Sequence, residues 1–203
     1  MDTLEHFILD TFKWFCHLKG REGDQVLHEF RQALGQADAN IQAEAVERPE
    51  LRGMGTTLTM AYSLNDELFI AHAGDSRCYL LRKGVLHQLT EDHTMVQEMV
   101  RRGLLEAKEA PRHHLRHMVT NVIGGPEPGV RVEVHKVHLE PGDRVLLCSD
   151  GLSEMLPGEE IRAPFLESED PARICARLVA QANERGGKDN VTVIVATYDE
   201  AKE

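Results

Sequence analysis

The chain has 203 residues, enough for one domain whose core needs no disulfide or metal staple, because roughly two-thirds of the unfolded surface is buried at this size. Hydrophobic residues at 41% and charged residues at 28% exclude a disordered or fibrous chain. A formal charge of -11 argues against nucleic acid or an anionic membrane as partner, since both are held by Lys and Arg neutralising phosphates.

From Asp2 to about Leu18, the residues Leu4, Phe7, Ile8, Thr11, Phe12, Phe15 and Leu18 recur at three and four, which predicts a helix with one buried face. Gly20 and Gly23 break it. The period resumes from Gln25 to Ala45 through Val26, Leu27, Phe30, Leu34, Ala37 and Ile41, and Pro49 ends it, so an antiparallel helix pair is predicted to open the chain. Short β-rich runs follow at Thr56 to Tyr62 and Glu67 to Ala73, then at Cys78 to Leu81 and Val85 to Leu89. The breaks at Ser63-Leu64-Asn65-Asp66 and Arg82-Lys83-Gly84 join them as sequential hairpins. Helical period returns over residues 91 to 118 with Val96, Met99, Val100, Leu104 and Leu105. Strands are predicted at Val130 to Val137 and, after the turn Glu140-Pro141-Gly142-Asp143, at Arg144 to Cys148. A helix from Pro171 to about Arg185 and a strand from Val191 to Tyr198 complete the chain. No regular β-α-β alternation is present, so the prediction is a single α+β domain of antiparallel sheets with helices packed outside. Cys16, Cys78, Cys148 and Cys175 form no C-x-x-C pair, which signals reduced, buried thiols and hence the cytoplasm. No run approaches the ~18 apolar residues of a membrane span, and no signal-peptide pattern is present, so neither insertion nor export is expected.

Three acidic motifs sit where strands end or begin. Ala73-Gly74-Asp75-Ser76-Arg77 follows Leu68 to Ala71, Cys148-Ser149-Asp150-Gly151-Leu152 follows Val145-Leu146-Leu147, and Gly187-Lys188-Asp189-Asn190 precedes Val191 to Val195. Carboxylates beside glycine at strand ends can share a crevice and offer anionic oxygen to a hard cation such as Mg²⁺ or Mn²⁺. Taken singly, Asp-Gly is also an ordinary turn and Asp-Asn an ordinary cap. The motifs contain no side-chain nucleophile: Cys148 has no Cys-x5-Arg phosphate loop after it, and Ser76 and Ser149 lack the Gly-x-Ser-x-Gly elbow.

Those motifs, preceded by Gly53-Met54-Gly55-Thr56-Thr57-Leu58 and interleaved with Leu89-Thr90-Glu91-Asp92-His93-Thr94, resemble in collinear order the motifs of bacterial protein phosphatase 2C domains, from about residue 2 to 198. The resemblance implies a β-sandwich of two antiparallel sheets flanked by helices, with a binuclear Mn²⁺ or Mg²⁺ centre at one end. There a metal-activated water hydrolyses phosphoserine or phosphothreonine in a phosphoprotein substrate of a serine/threonine kinase. By resemblance, Asp150 and Asp189 hold the first catalytic metal, Asp75 joins Asp150 in a weaker third site, and Gly151 and Asn190 shape the turns. The segment from about Thr94 to Gly125 resembles the family's substrate-discriminating flap. It carries His113, His114, Arg116 and His117, which read either as a solvated basic face or as a recruiter of a phosphopeptide's negative charge.

The chain departs from the family pattern at its start. Family members carry two strands before the first helix, with a phosphate-binding Arg and an Asp-Gly-x-Gly-Gly motif whose Asp bridges both metals. Here Met1 falls within the first predicted helix, and no such motif precedes Gly53-Met54-Gly55. The expectation is therefore a sandwich lacking its first strands, with impaired catalysis, read as a fragment of a complete phosphatase. The competing expectation is a catalytically silent domain that binds phosphoproteins or partners. A sporulation and stress-response type of phosphatase is a third reading, against which the Gly-Asp-Ser-Arg and Asp92-His93 forms favour the general serine/threonine branch.

Overall fold

The computed structural model describes Leu18 and residues 23–199. The helix predicted over residues 2–18 lies outside the described residues except for Leu18, which is helical and buried. Helix α1 (Gly23–Glu47) places Val26, Phe30 and Leu34 on one buried stripe, as spacings of four require.

Strands β2 (Leu58–Leu64), β3 (Glu67–Ala73) and β7 (Glu133–His138) form one antiparallel sheet in the order β2-β3-β7. Strands β4 (Arg77–Arg82), β5 (Val85–Gln88), β8 (Asp143–Cys148) and β9 (Val193–Tyr198) form a second in the order β5-β4-β8-β9. Both hairpins predicted from sequence are present as β2-β3 and β4-β5. The β4-β5 loop is Lys83-Gly84, both at positive φ, the backbone that a tight hairpin between right-twisted strands demands. The predicted α+β sandwich of two antiparallel sheets is thus borne out. A further short ribbon joins β1 (Gly55–Thr56) to β6 (Ile123–Gly124).

The side-chain period of two sorts the core into layers. Along β3, Phe69, Ala71 and Ala73 pack under α1, while Leu68 and Ile70 point to the other sheet and meet Cys78 and Leu80 of β4 and Val145 of β8. The opposite faces of β4 and β8 present Tyr79, Leu81, Leu146 and Cys148 to helices α4 (Gly158–Glu167) and α5 (Pro171–Glu184). The order of layers is therefore helix, sheet, sheet, helices. Strand β3, buried on both faces, reads as a near-continuous apolar run for that reason.

Two elements differ from the sequence expectation. The helical period over 91–118 yields only α2 (Met95–Arg101), N-capped by Thr94, whose hydroxyl accepts from the Gln97 N–H at 3.3 Å. Beyond it Leu104 is 69% exposed and Pro111 lies in a 3-10 turn at Ala110–Arg112. Helix α4 was hidden by its internal Pro164, although Ile161, Pro164 and Phe165 make its buried face. Among the described residues β2 and β9 are sheet edges. Between them an apolar hollow of about 210 Å³ is lined by Ala61, Leu68, Leu147, Ile194 and Ala196.

Candidate active site

Antiparallel pairing brings the acidic motifs to one end of the sandwich. Arg77 of β4 stands opposite Cys148 of β8, so Asp75, two residues before Arg77, and Asp150, two residues after Cys148, leave the same end of this pair, near enough for the charge of Asp150 to act on Asp75. Strand β9 joins from the other side: Cys148 pairs with Val193, and the Ser149 N–H donates to the Thr192 carbonyl at 3.0 Å. Asp189 lies just upstream in the incoming loop. Asp150 opens the one-turn helix α3 (Asp150–Ser153).

Close backbone contact joins the Asp150 and Asp189 loops. A β-carbon added to Gly151 would lie 2.3 Å from the Asn190 carbonyl oxygen and 3.5 Å from the Asp189 carbonyl carbon, so only glycine admits the approach. Ser149 staples the same junction: its hydroxyl donates to the Asn190 carbonyl at 3.1 Å and accepts from the Thr192 N–H at 3.0 Å. Asn190 acts here through its backbone, whose N–H also donates to Asp189 Oδ1 at 2.7 Å. On the other side Gly74 has φ +122°, and a β-carbon there would lie 2.4 Å from the Thr57 side chain.

Asp75 and Asp150 line a cleft of about 910 Å³ together with Arg77, Arg112, Arg116 and Lys188. Burial and the adjacent negative charge of Asp150 push the Asp75 carboxyl up to about 6, with smaller contributions from Asp92 and Glu154. Like charges at such a site favour a bound cation or a proton. Arg77 is held by Asp92 through two bonds of 2.8 and 2.6 Å and donates to the Tyr79 hydroxyl at 3.0 Å.

Of the flap residues singled out from sequence, Arg116 lines the cleft. His117 Nδ1 instead sits 2.5 Å from Glu154 Oε1, tying the flap across to the segment after α3. His113 and His114 stack on each other with ring centroids 4.5 Å apart, and His113 Nδ1 accepts from the Leu115 N–H at 3.2 Å. Neither lines the cleft. Sequence reasoning reached Arg77, Asp92, His93 and Ser149 only as members of family motifs and Glu154 not at all; their contacts join segments distant in the chain, which no local pattern signals.

Donor chemistry decides which cation this end of the molecule suits. Asp75 and Asp150 offer hard anionic oxygen whose mutual repulsion a divalent ion relieves, which fits Mg²⁺ or Mn²⁺ with waters completing the shell. Among the described residues, the only trio whose ligand atoms lie within 4.8 Å of one another is His72, His93 and Glu133. Hydrogen-bond bookkeeping rules against a metal in that second place. The Asn121 amide is oriented by the Arg131 backbone, donating to its carbonyl at 2.9 Å and accepting from its N–H at 2.8 Å. Asn121 Nδ2 therefore donates to His93 Nδ1 at 2.8 Å, as does the Gly74 N–H at 3.1 Å. His93 Nδ1 thus bears a lone pair, and the neutral ring carries its proton on Nε2, the nitrogen that faces Glu133 at 3.7 Å. Burial, then the neighbouring His72 and Arg131, lower this imidazole to about 4. A cation on Nε2 would drive the proton onto Nδ1, against two N–H donors. His93 instead fixes the residue before Asp75, since its own N–H donates to the Gly74 carbonyl at 2.8 Å.

Comparison with known proteins identifies this arrangement. The family model described as Protein phosphatase 2C matches residues 10–101, and that of Stage II sporulation protein E matches residues 109–199. Protein phosphatase PhpP of Streptococcus pneumoniae is 36% identical over 98% of this chain and 74% of its own. Serine/threonine protein phosphatase PstP of Mycobacterium tuberculosis is 39% identical over 89% of this chain, which spans 35% of PstP. The PstP crystal structure superposes with a TM-score of 0.82 at 38% identity, covering 93% of this chain and 79% of that one. The PstP catalytic domain in complex with two manganese ions superposes at 0.78 with 36% identity and the same coverage. Relatives this similar, matched over nearly the whole of the described fold, place the chain in the bacterial protein phosphatase 2C family of metal-dependent serine/threonine phosphatases.

Proposed function

We propose that this chain hydrolyses phosphoserine and phosphothreonine in proteins, opposing a serine/threonine kinase in the cytoplasm, with Asp75, Asp150 and Asp189 holding Mn²⁺ or Mg²⁺. The observation that carries the reading is the meeting of Asp75 and Asp150 in one cleft, with the Asp189 loop seated on Gly151. A divalent ion held there supplies charge neutralisation for phosphoryl oxygens and acidifies a water molecule. The residues of the chain do the rest: the Ser149 staple and Gly151 contact set the spacing of Asp150 and Asp189, and His93 holds the Asp75 loop. Phosphoryl transfer asks for little beyond such positioning and electrostatics. Cys78 and Cys148, which burial pushes up to about 12, are unreactive structural thiols and support the cytoplasmic placement. Among the described residues no helix is long and apolar enough to cross a membrane.

The test is phosphate release from a phosphothreonine peptide. Weak activity is expected with Mn²⁺, because no Asp-Gly-x-Gly-Gly motif precedes Gly53 to supply a bridging Asp; it should vanish with chelator and fall at least ~100-fold in Asp150→Asn, more than the loss usual for groups that merely support a ligand. Peptide binding without turnover under saturating Mn²⁺ would overturn the reading in favour of a silent phosphoprotein-binding domain.

A pH dependence follows from Asp75. Its folded-state carboxyl, near 6 against an ordinary 3.8, binds more protons than the unfolded one between those values. Stability without metal therefore falls as pH rises through that window. Below about 6 a cation must displace this proton, so Mn²⁺ affinity is expected to fall about tenfold per pH unit there. Thermal upshift at fixed, subsaturating Mn²⁺ should be large at pH 7.5 and small at pH 5; an equal upshift at both would refute Asp75 as a ligand.

A further inference from the structure

The cleft is far larger than a phosphoryl group requires, and charged groups of both signs line it. Its volume of about 910 Å³ falls in the range of sites that enclose a sizeable ligand. Asp75 and Asp150 line the cleft from the ends of the central strands. Arg112 and Arg116 belong to the flap, and Lys188 to the loop that leads into Asp189.

These three cations have no side-chain hydrogen bond or ion pair among the described residues, unlike the cations nearby. Arg101 and Arg102 pair with Glu98, Arg185 with Glu160, and Arg77 with Asp92. In a chain of net charge -11, three unpaired cations in the cleft that holds the acidic centre mark a place for an anion that the protein does not itself supply. An arginine pair suits this task, because each planar fork meets a carboxylate or phosphate with two bonds.

The flap is held in place for such a ligand. Its two ends are joined where Thr94 bridges Val119 and where the Thr120 N–H donates to the His93 carbonyl at 2.8 Å. Arg112 ends a 3-10 turn begun by Ala110-Pro111, and the Arg116 N–H donates to the His113 carbonyl at 3.2 Å. The His117–Glu154 contact fastens the same segment across the cleft. A backbone held before binding leaves only the side chains of Arg112 and Arg116 to be ordered on meeting a ligand.

We propose that Arg112, Arg116 and Lys188 form a second anion subsite that selects phosphopeptides carrying a further negative group, a carboxylate or a second phosphate, beside the residue to be hydrolysed. The inference rests on the phosphoprotein-phosphatase reading and adds the substrate class to it.

The test is binding rather than turnover. Fluorescent peptides bearing a non-hydrolysable phosphonate analogue of phosphothreonine are titrated by anisotropy in Mn²⁺, with flanks that are neutral, rich in Glu, or carry a second phosphonate. Anionic flanks are expected to tighten binding about tenfold or more, as charge-assisted hydrogen bonds of ordinary strength provide. Raised salt should diminish the difference. Arg112→Gln/Arg116→Gln should bind all three peptides alike, whereas Arg177→Gln, whose native partner is Glu167 and which does not line the cleft, should keep the preference. A preference for both anionic flanks assigns the subsite to charge, and one for the second phosphonate alone assigns it to phosphate. Equal binding of all three peptides by the unaltered protein, or a preference that survives the double substitution, overturns the subsite. Hydrolysis of p-nitrophenyl phosphate in the same preparation separates the two readings: activity without flank preference sinks the subsite alone, and neither activity nor peptide binding sinks both.

Discussion

Gly151→Ala is expected to reduce Mn²⁺-dependent phosphatase activity about 100-fold while leaving the fold intact. Gly151 lies in the first turn of α3 and has no left-handed backbone, so alanine brings no dihedral strain there. Helix propensity alone would favour the change by about 1 kcal/mol. The obstacle is contact: the added methyl would stand 2.3 Å from the Asn190 carbonyl oxygen and 3.0 Å from its carbon, and both are backbone atoms that no rotamer change removes. Ser149 prevents the loop from simply swinging away, since its hydroxyl bonds both Asn190 and Thr192. Asp150 and Asp189 must therefore separate or twist, and a displacement near 1 Å at a reacting centre costs about 100-fold. Calorimetric Mn²⁺ affinity should drop in parallel. Gly35→Ala is the control, because a β-carbon at Gly35 in α1 meets nothing within 4 Å; it should be neutral or slightly stabilising. Full activity and affinity in Gly151→Ala would show that the contact of the two loops does not set the spacing of the carboxylates.

The same residues show what can be read from a sequence and what cannot. Strand β3 spans Glu67–Ala73, as the apolar run between Asn65-Asp66 and Gly74 predicts, because strand burial and turn chemistry are local properties. Asp75, Asp150 and Asp189 stand out because each adjoins glycine or asparagine at a strand boundary. Their meeting depends on register between β4, β8 and β9, which no local pattern carries. The resemblance to family motifs supplied that step. Arg116 and the three flap histidines look alike in sequence, a basic stretch without period. Structure separates them, placing Arg116 in the cleft, His117 on Glu154 and the other two in a stacked pair. Arg112 is legible in the sequence only as one more basic residue, and Asp92, Ser149 and Lys188 only as members of family motifs, since what each touches is set by segments distant in the chain. The helical period over 91–118 misled because apolar residues such as Leu104 face solvent there, in a flap shaped by turns and by His93 rather than by a core.

Asp92→Asn is expected to destabilise the fold by about 3 kcal/mol, the lower end of the loss on breaking a buried ion pair, and to lower Tm by about 6–12 °C for a chain of this size. Asp92 follows the hairpin β4-β5, whereas Arg77 opens β4 beside Asp75, so the pair ties the loop leading into the flap to the strand that carries the acidic motif. Both Arg77–Asp92 bonds are short, and the two side chains are only 26% and 17% exposed. Asparagine keeps the shape of Asp92 but removes its charge, and turns one acceptor into a donor facing the Arg77 fork. Burial disfavours the charged Arg77, and the hydrogen bond and charge of Asp92 together with Tyr79 more than offset it; without the carboxylate the largely sheltered guanidinium keeps the Tyr79 hydroxyl at 3.0 Å. The double variant Arg77→Met/Asp92→Leu should recover much of the stability, because two apolar side chains replace a pair that must be desolvated. It should not recover activity, since Arg77 lines the cleft next to Asp75. Thermal unfolding of the single and double variants, read beside phosphate release, separates the two contributions: a double variant as unstable as Asp92→Asn would mean that the loss comes from packing, and not from an arginine left without its carboxylate.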